Sequence, residues 1–163
     1  MISLSLLALF CGMTGCGYNT SELYPQRYRT VAVPIAQNQT FYRGVEDVLT
    51  EALVKQVEQR TPYKRVAPNT ADTLLLVTVT GVRDGRISRT RIGGIPQELE
   101  TLITVDVEWR DLATGETILT RRGLSGPGRY IPAGDIADRS EYGQWTAADG
   151  LADRIVSVLR EDW

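Results

Sequence analysis

Histidine is absent from this sequence of 163 residues, and cysteine occurs only twice, at Cys11 and Cys16. Histidine is the commonest general base and a frequent metal ligand, so its absence excludes a Ser-His-Asp triad and histidine-based metal centres. The segment Gly123–Pro127 fails the G-x-S-x-G pattern of serine hydrolases, because proline replaces the second glycine. We therefore predict no catalytic residue, no metal site and no cofactor.

An excess of positive charge is also missing. The chain has 18 Lys and Arg residues against 20 Asp and Glu residues, and its net charge is −2. A nucleic-acid-binding domain is usually strongly basic, so the bulk charge argues against one. No apolar run after Cys16 approaches the roughly 20 residues that a transmembrane helix needs.

The first 16 residues have the character of an export signal. They read MISLSLLALFCGMTGC, without a charged side chain, and the run from Ile2 to Phe10 is apolar except for two serines. Its length fits the hydrophobic region of a secretory signal, about 7–15 residues. The cysteine after Thr14 and Gly15 resembles a bacterial lipobox, which implies cleavage before Cys16 and a lipid on that residue. The alternative is a buried first strand or helix in which Cys16 is a core thiol.

A lipid on Cys16 would define both the compartment and the anchor. Each buried methylene contributes roughly 0.8 kcal/mol, and two or more acyl chains hold a protein stably at a membrane. We predict a signal peptide over 1–15, a tether over 16–28 that lies along the domain as a packed linker or at the level of the lipid headgroups, and one domain over 29–163. Since Cys11 would leave with the signal, the mature chain would have no free thiol, which excludes a cysteine nucleophile and a redox motif.

Two segments have helical periodicity. The first is predicted from Gly44 to Arg60, with acidic residues early and Arg60 late, as the helix dipole favours. The second is predicted to end near Leu159, and Asp138 with Glu141 looks like its capping box. Its expected apolar stripe consists of Trp145, Ala148, Ala152, Ile155, Val156 and Leu159.

Five segments are predicted to form strands. Pro34 lacks an N–H, so the first strand should lie at an edge or contain a bulge. Gly81 should mark a bulge or a tight approach in a later strand. Glu98–Asp111 alternates apolar and polar residues most clearly, which indicates one buried and one solvated face. A Gly- and Pro-rich loop is expected over 125–134. The predicted strands are 30–36, 63–67, 73–83, 98–111 and 117–124.

This order of elements predicts an α/β fold of the α+β kind. Two amphipathic helices need one apolar sheet face to cover, and a two-layer sandwich with a mixed sheet of four or five strands provides it. The first strand, the first helix and the short second strand suggest a parallel pair.

Several ordered segments resemble the LptE-type lipopolysaccharide-assembly lipoproteins. The resemblance covers essentially the whole mature chain and is weaker after Ser125. The segments that carry it are the lipobox with Gly17-Tyr18, then 23–25, 29–34, 38–41, 49–53 and 60–64, the Ala71-Asp72-Thr73 turn and the 98–124 hairpin.

The resemblance implies a lipid-anchored protein on the periplasmic face of the outer membrane. Such proteins form a plug-and-barrel complex with the large LptD-like β-barrel that inserts lipopolysaccharide, help that barrel to fold and contact lipopolysaccharide. The family fold is a two-layer α/β sandwich. A second reading remains open, in which a periplasmic lipoprotein scaffolds or regulates cell-wall synthesis enzymes.

One basic constellation is a candidate contact site. Arg83, Arg86, Arg89 and Arg91 lie between the two longest predicted strands. Guanidinium groups can bind phosphates bidentately, and lipid A carries phosphates, so this segment is predicted to contact lipopolysaccharide or the barrel. The alternative is an ordinary solvated hairpin.

A pair of carboxylates is interpreted differently. Asp106 and Glu108 are two residues apart and therefore lie on the same face of a predicted strand. General-acid catalysis by such a pair is conceivable. We interpret them as members of a solvated sheet face.

Overall fold

A computed structural model describes residues 24–87, 91–92, 95–96, 98–131 and 136–161. Two helices and eight strands form in these residues. In chain order they are β1 (Thr30–Ala32), β2 (Gln37–Asn38), α1 (Val45–Arg60), β3 (Lys64–Arg65), β4 (Thr73–Arg86), β5 (Arg91–Ile92), β6 (Ile95–Pro96), β7 (Leu99–Asp111), β8 (Thr117–Tyr130) and α2 (Ile136–Glu161).

The main sheet is mixed and has the strand order β3-β1-β4-β7-β8, with β2 also paired to β4. The pairs β1–β3, β1–β4 and β2–β4 are parallel, whereas β4–β7 and β7–β8 are antiparallel. Strands β5 and β6 form a separate antiparallel pair in the connection between β4 and β7. The predicted α+β arrangement with two helices is confirmed.

The predicted first strand is interrupted at Pro34. Ala32 pairs with Leu74 and Gln37 pairs with Thr78, so this chain takes one more residue than β4 to cover the same stretch. Proline has no N–H to donate to a neighbouring strand. The extra residue lets the chain bulge at this point, so that Pro34 is not required to pair. The extra residue is what the predicted bulge requires. Strand β1 itself lies between β3 and β4, but its pairing with β3 ends at Val31, before Pro34.

Helix α1 follows the predicted pattern. Gly44 precedes it with a φ of 84°, a left-handed conformation that glycine adopts at little cost. The apolar stripe is buried, and the helix ends where the backbone N–H of Thr61 bonds to the Val57 carbonyl. The buried residues are Val45, Leu49, Ala52, Leu53 and Val57.

Strand β7 is the centre of the core. From Thr101 to Asp111 every second residue is buried and the residues between them are half-buried. Trp109 is the largest fully buried side chain. The predicted bulge at Gly81 is confirmed, since the register between β4 and β7 shifts between Val79 and Gly81.

Strand β8 continues through the segment that was predicted to be a loop. It runs to Tyr130, so the prediction that pairing stops at Leu124 is wrong. A Cβ on Gly126 would lie 2.6 Å from the Leu151 Cβ, and one on Gly128 would overlap the Gly143 carbonyl oxygen. These glycines serve a close helix–strand contact, and Pro127 is tolerated because β8 is an edge strand.

Helix α2 corrects two predictions. It begins at Ile136, so Asp138 lies inside its first turn and the proposed capping box is wrong. Trp145 is 53% exposed and does not belong to the apolar stripe. The buried side of α2 is instead the side that carries Gly143 and the small residues in close contact with β8. Over 141–160, where the side chains of α2 are described, the buried residues are Gly143, Ala147, Ala148, Leu151, Ala152, Ile155, Val156 and Leu159.

The close contact between α2 and β8 makes a testable prediction about Gly128. Its replacement by alanine should lower the free energy of unfolding by about 1–3 kcal/mol, because the added methyl group must displace helix backbone. Chemical denaturation followed by circular dichroism measures the change.

Gly150→Ala provides a matched control in α2, where an added Cβ meets nothing within 4 Å. It should raise stability by about 0.5–1 kcal/mol through helix propensity. Equal effects of the two substitutions would contradict the proposed contact.

Candidate functional site

The two helices pack on one face of the sheet, and no described element covers the other. This open face carries the half-buried residues of β7, among them Leu102, Thr104 and Asp106. The Thr80 hydroxyl bonds to the Thr104 carbonyl at 3.3 Å, and the Thr104 and Ser125 hydroxyls lie 3.0 Å apart. The open face is therefore mixed in polarity and hydrogen-bonded across three strands.

A shallow depression of about 330 Å³ lies on the open face. It contains two carboxylates and one arginine together with threonines and apolar side chains, so it could accept a mixed polar surface. Its lining residues are Gln37, Leu76, Thr78, Asp106, Val107, Glu108, Thr120 and Arg122.

The carboxylates in the depression have structural partners. Asp106 accepts a bond of 2.9 Å from the backbone N–H of Gly123. Glu108 accepts bonds from the Arg110 guanidinium at 2.6 Å and from the Thr117 hydroxyl at 3.1 Å. The Arg110 bond is the main reason that the pKa of Glu108 lies below its usual value. A general acid at neutral pH needs a raised pKa, so this geometry favours the interpretation as a solvated sheet face.

The predicted arginines lie along one hairpin. Arg83 and Arg86 belong to the end of β4, where they pair with Leu102 and Leu99, and Arg91 in β5 pairs with Pro96. Arg89 lies outside the described residues. We call the described residues from Arg83 to Leu102 the arginine hairpin.

Arg83 is exposed and has no ion-pair partner in the part of the chain that the structure describes. Its neighbour Asp84 accepts a bond of 2.7 Å from the Thr101 hydroxyl. Arg83 is therefore available to an external anion.

Other arginines contribute less to this end of the molecule. Arg129 lies beside the hairpin but forms an ion pair of 3.3 Å with Glu100. Arg121 pairs with Val107, five residues along β7 from Leu102, or roughly 17 Å at the rise of a strand. The sequence could not reveal this separation.

The first described residues pack as the linker interpretation of the tether predicts, although sequence reasoning did not identify the contacts that attach them. The Tyr24 hydroxyl donates to the Arg60 carbonyl at 3.0 Å, and its ring packs edge-on against Tyr63 with centroids 5.6 Å apart. The Tyr28 ring lies 5.9 Å from Trp109. Both tyrosines are buried, so the last part of the predicted tether packs against the domain.

Two aspartates complete this attachment. Asp72 accepts bonds of 2.9 Å from the backbone N–H groups of Arg29 and Thr30, and Asp111 accepts one from the Tyr28 hydroxyl. The Thr114 backbone N–H contributes most to lowering the pKa of Asp111. We call Tyr24–Thr30 the N-terminal root.

The root and the hairpin lie at opposite ends of the molecule. The root contacts Asp72 and Asp111, where β4 begins and β7 ends, while the hairpin joins the other ends of these strands. Strand β4 has 14 residues, which corresponds to about 45 Å. An anchor before the root would thus leave the arginine hairpin distant from it.

Sites of other kinds do not appear in the residues that the structure describes. They contain no group of three or more metal-binding side chains. None of their helices is long and apolar enough to cross a membrane. Cys16, the predicted lipid attachment, lies outside the described residues.

Comparison with known protein families identifies the class of the chain. Residues 28–159 match the LptE family, which is described as lipopolysaccharide-assembly. The chain belongs to this family of non-enzymatic lipoproteins. The match begins at Tyr28 in the root and ends at Leu159 in α2, so it covers both helices and the whole main sheet.

Solved structures share the fold at low identity. A protein from Xanthomonas campestris is 10% identical with a TM-score of 0.59, and the alignment covers 84% of this chain and 86% of that one. A candidate lipoprotein from Caulobacter crescentus CB15 is 19% identical with a TM-score of 0.53, over 77% and 87%. The PelC dodecamer from Paraburkholderia phytofirmans is 16% identical with a TM-score of 0.52, over 84% and 91%. No protein in the curated set matches the sequence significantly.

Proposed function

We propose that this protein is an outer-membrane lipoprotein that assists the assembly and transport of lipopolysaccharide. In this proposal it acts from the periplasmic face as plug and chaperone of the LptD-like β-barrel that inserts lipopolysaccharide. The observation that carries the proposal is the family match over residues 28–159. The protein works by binding, and its carboxylates and arginines have no catalytic role.

The N-terminal root supports the proposed anchor. Residues 1–15 act as the signal, Cys16 carries the lipid, and the chain from Cys16 to Tyr24 joins that lipid to the root. Eight residues span at most about 28 Å when fully extended. Because Tyr24 and Tyr28 are bound to the domain, the root end stays close to the membrane.

The open sheet face supports a plug role. The interior of an outer-membrane barrel is polar, and a surface inside it must exchange hydrogen bonds with that wall. The open face offers hydroxyls, carboxylates and arginines together with half-buried leucines. A plug with this face needs neither a groove nor an active site.

Native extraction tests the proposal. The protein should be extracted from membranes in mild detergent, with mass spectrometry of its N-terminus and of co-purifying proteins. We expect acylated Cys16 and a large β-barrel in near-stoichiometric amount. Cys16→Ala should release the protein into the soluble fraction.

Recovery of a peptidoglycan synthase without a barrel would overturn the proposal and favour the cell-wall alternative. Exchange of Cys16 for alanine without any release would contradict the anchor.

The arginine hairpin is proposed to contact lipopolysaccharide phosphates through Arg83, Arg86, Arg89 and Arg91. Exposed ion pairs contribute about 0.2–1 kcal/mol each. Replacing Arg86, Arg89 and Arg91 by alanine should therefore weaken binding roughly tenfold, as measured by titration of the folded variant with lipopolysaccharide. The difference should shrink at high salt, because salt screens exposed charges.

The double variant Arg121→Ala, Arg122→Ala is the control, since it removes positive charge from a region about 17 Å away along the sheet. Unchanged affinity in the folded hairpin variant would refute the proposed contact. Losses in proportion to the number of charges removed, three in the hairpin variant and two in the control, would show that only net charge matters.

A further inference from the structure

One edge of β4 is paired with other strands along its first half, but with no described strand along its second half. On the side away from β7, β1 and β2 pair with β4 at residues from Thr73 to Val79. The last backbone bond on that side is donated by Gln39 to the Val79 carbonyl at 3.0 Å. From Thr80 to Arg86, no strand in the described part of the chain pairs with this edge, although β4 stays paired with β7 to Arg86.

An unpaired strand edge is a specific binding surface. Its outward N–H and C=O groups form a row that another extended chain can join by strand addition. The bulge at Gly81 and the charges of Arg83 and Asp84 are features that discourage indiscriminate pairing. They leave room for a partner whose own charges complement the alternating charges of Arg83 and Asp84.

An aromatic side chain lies where this unpaired edge begins. Phe41 is fully exposed, the most exposed of the large apolar side chains that the structure describes. It lies two residues after Gln39, the last residue bonded to β4 on this side. A chain joining the edge beyond Val79 would therefore start beside the loop that carries Phe41.

The loop around Phe41 is held in place by Asn38. The Asn38 amide donates to the Tyr42 carbonyl at 2.6 Å and to the Glu46 carboxylate at 2.7 Å, while its oxygen accepts from the Thr40 backbone N–H at 2.8 Å. The loop thus keeps Phe41 exposed without a packing partner of its own. Because the backbone of this loop is held before binding, association costs mainly the rotamer freedom of the Phe41 ring, and aromatic residues are frequent energetic centres of protein interfaces.

We propose that an extended segment of the partner β-barrel pairs with the Thr80–Arg86 edge of β4 and accepts Phe41 in an apolar pocket. This inference rests on the proposed function and specifies the contact. A lipid bilayer has no row of backbone donors and acceptors that could match the edge. A protein strand has one, so the combination of edge and aromatic anchor selects a protein.

Site-specific photo-cross-linking tests this contact in the full-length protein in native membranes. A photo-reactive amino acid replaces Phe41 or Arg83, and Tyr142 on α2 serves as an exposed aromatic control. We expect cross-links from positions 41 and 83 to one segment of the barrel, and a signal at least about tenfold weaker from position 142.

Hydrogen exchange of the purified complex provides a second readout. Backbone amides over 80–86 that point away from β7 should exchange quickly in the free protein and at least about tenfold more slowly in the complex. Phe41→Ala should reduce barrel recovery about tenfold with an unchanged melting temperature, whereas the control Trp145→Ala should retain the barrel.

Three results would overturn the inference while leaving the proposed function intact. They are barrel recovery without cross-links from position 41 or 83, unchanged exchange over 80–86 in the complex, and full recovery by Phe41→Ala. A cross-linked dimer of this chain from position 41 would also overturn it. Failure of the wild-type protein to recover a barrel would instead contradict the proposed function itself.

Discussion

Burial of a single sheet face beneath two helices is the constraint on which the other surfaces of this domain depend. Helix α2 lies so close to β8 that the strand has glycine at positions 126 and 128, where the two elements meet. This contact, together with the stripe of α1, assigns the fully buried apolar residues of β4 and β7 to one side. The opposite face stays open, and its partly polar side chains are the natural surface for a partner.

The long strands also separate the ends of the molecule. The N-terminal root is bound by hydrogen bonds and aromatic contacts at one end, and the arginine hairpin extends from the other. A short tether would then hold one end near a membrane and direct the other away from it. The position of a residue along the sheet therefore determines how far it lies from the proposed anchor.

The fold could be predicted where side-chain periodicity and packing agree, as in α1 and in the alternation of β7. The prediction was wrong where the residue types of a segment are explained by a tertiary contact and not by the local secondary structure they usually favour. Gly126, Pro127 and Gly128 are typical of a loop, yet they belong to a strand because a helix backbone lies against them. Trp145 fits a helical stripe by spacing, but the stripe is rotated by the small residues that approach β8.

The candidate site was predictable only in part, for a similar reason. The arginines between two strands were visible in the sequence, but Arg121, Arg122 and Arg129 could not be placed before the register of β8 was known. Tyr28 and Asp111 lie 83 residues apart in the chain, so no local pattern reports their hydrogen bond. Phe41 was part of the family resemblance, yet its complete exposure depends on the Asn38 bonds that hold its loop.

The central claim is that the hairpin end meets the partner while the root end does not. Thiol labelling tests it directly, because the processed chain is expected to have no free cysteine. Ile87→Cys reports on the hairpin end and Leu112→Cys on the root end, and the two side chains are similarly exposed, at 41% and 37%. The account predicts that a maleimide labels both in the free protein, and that the complex protects only Ile87→Cys. Equal labelling of Ile87→Cys in both states, or selective protection of Leu112→Cys, would contradict it.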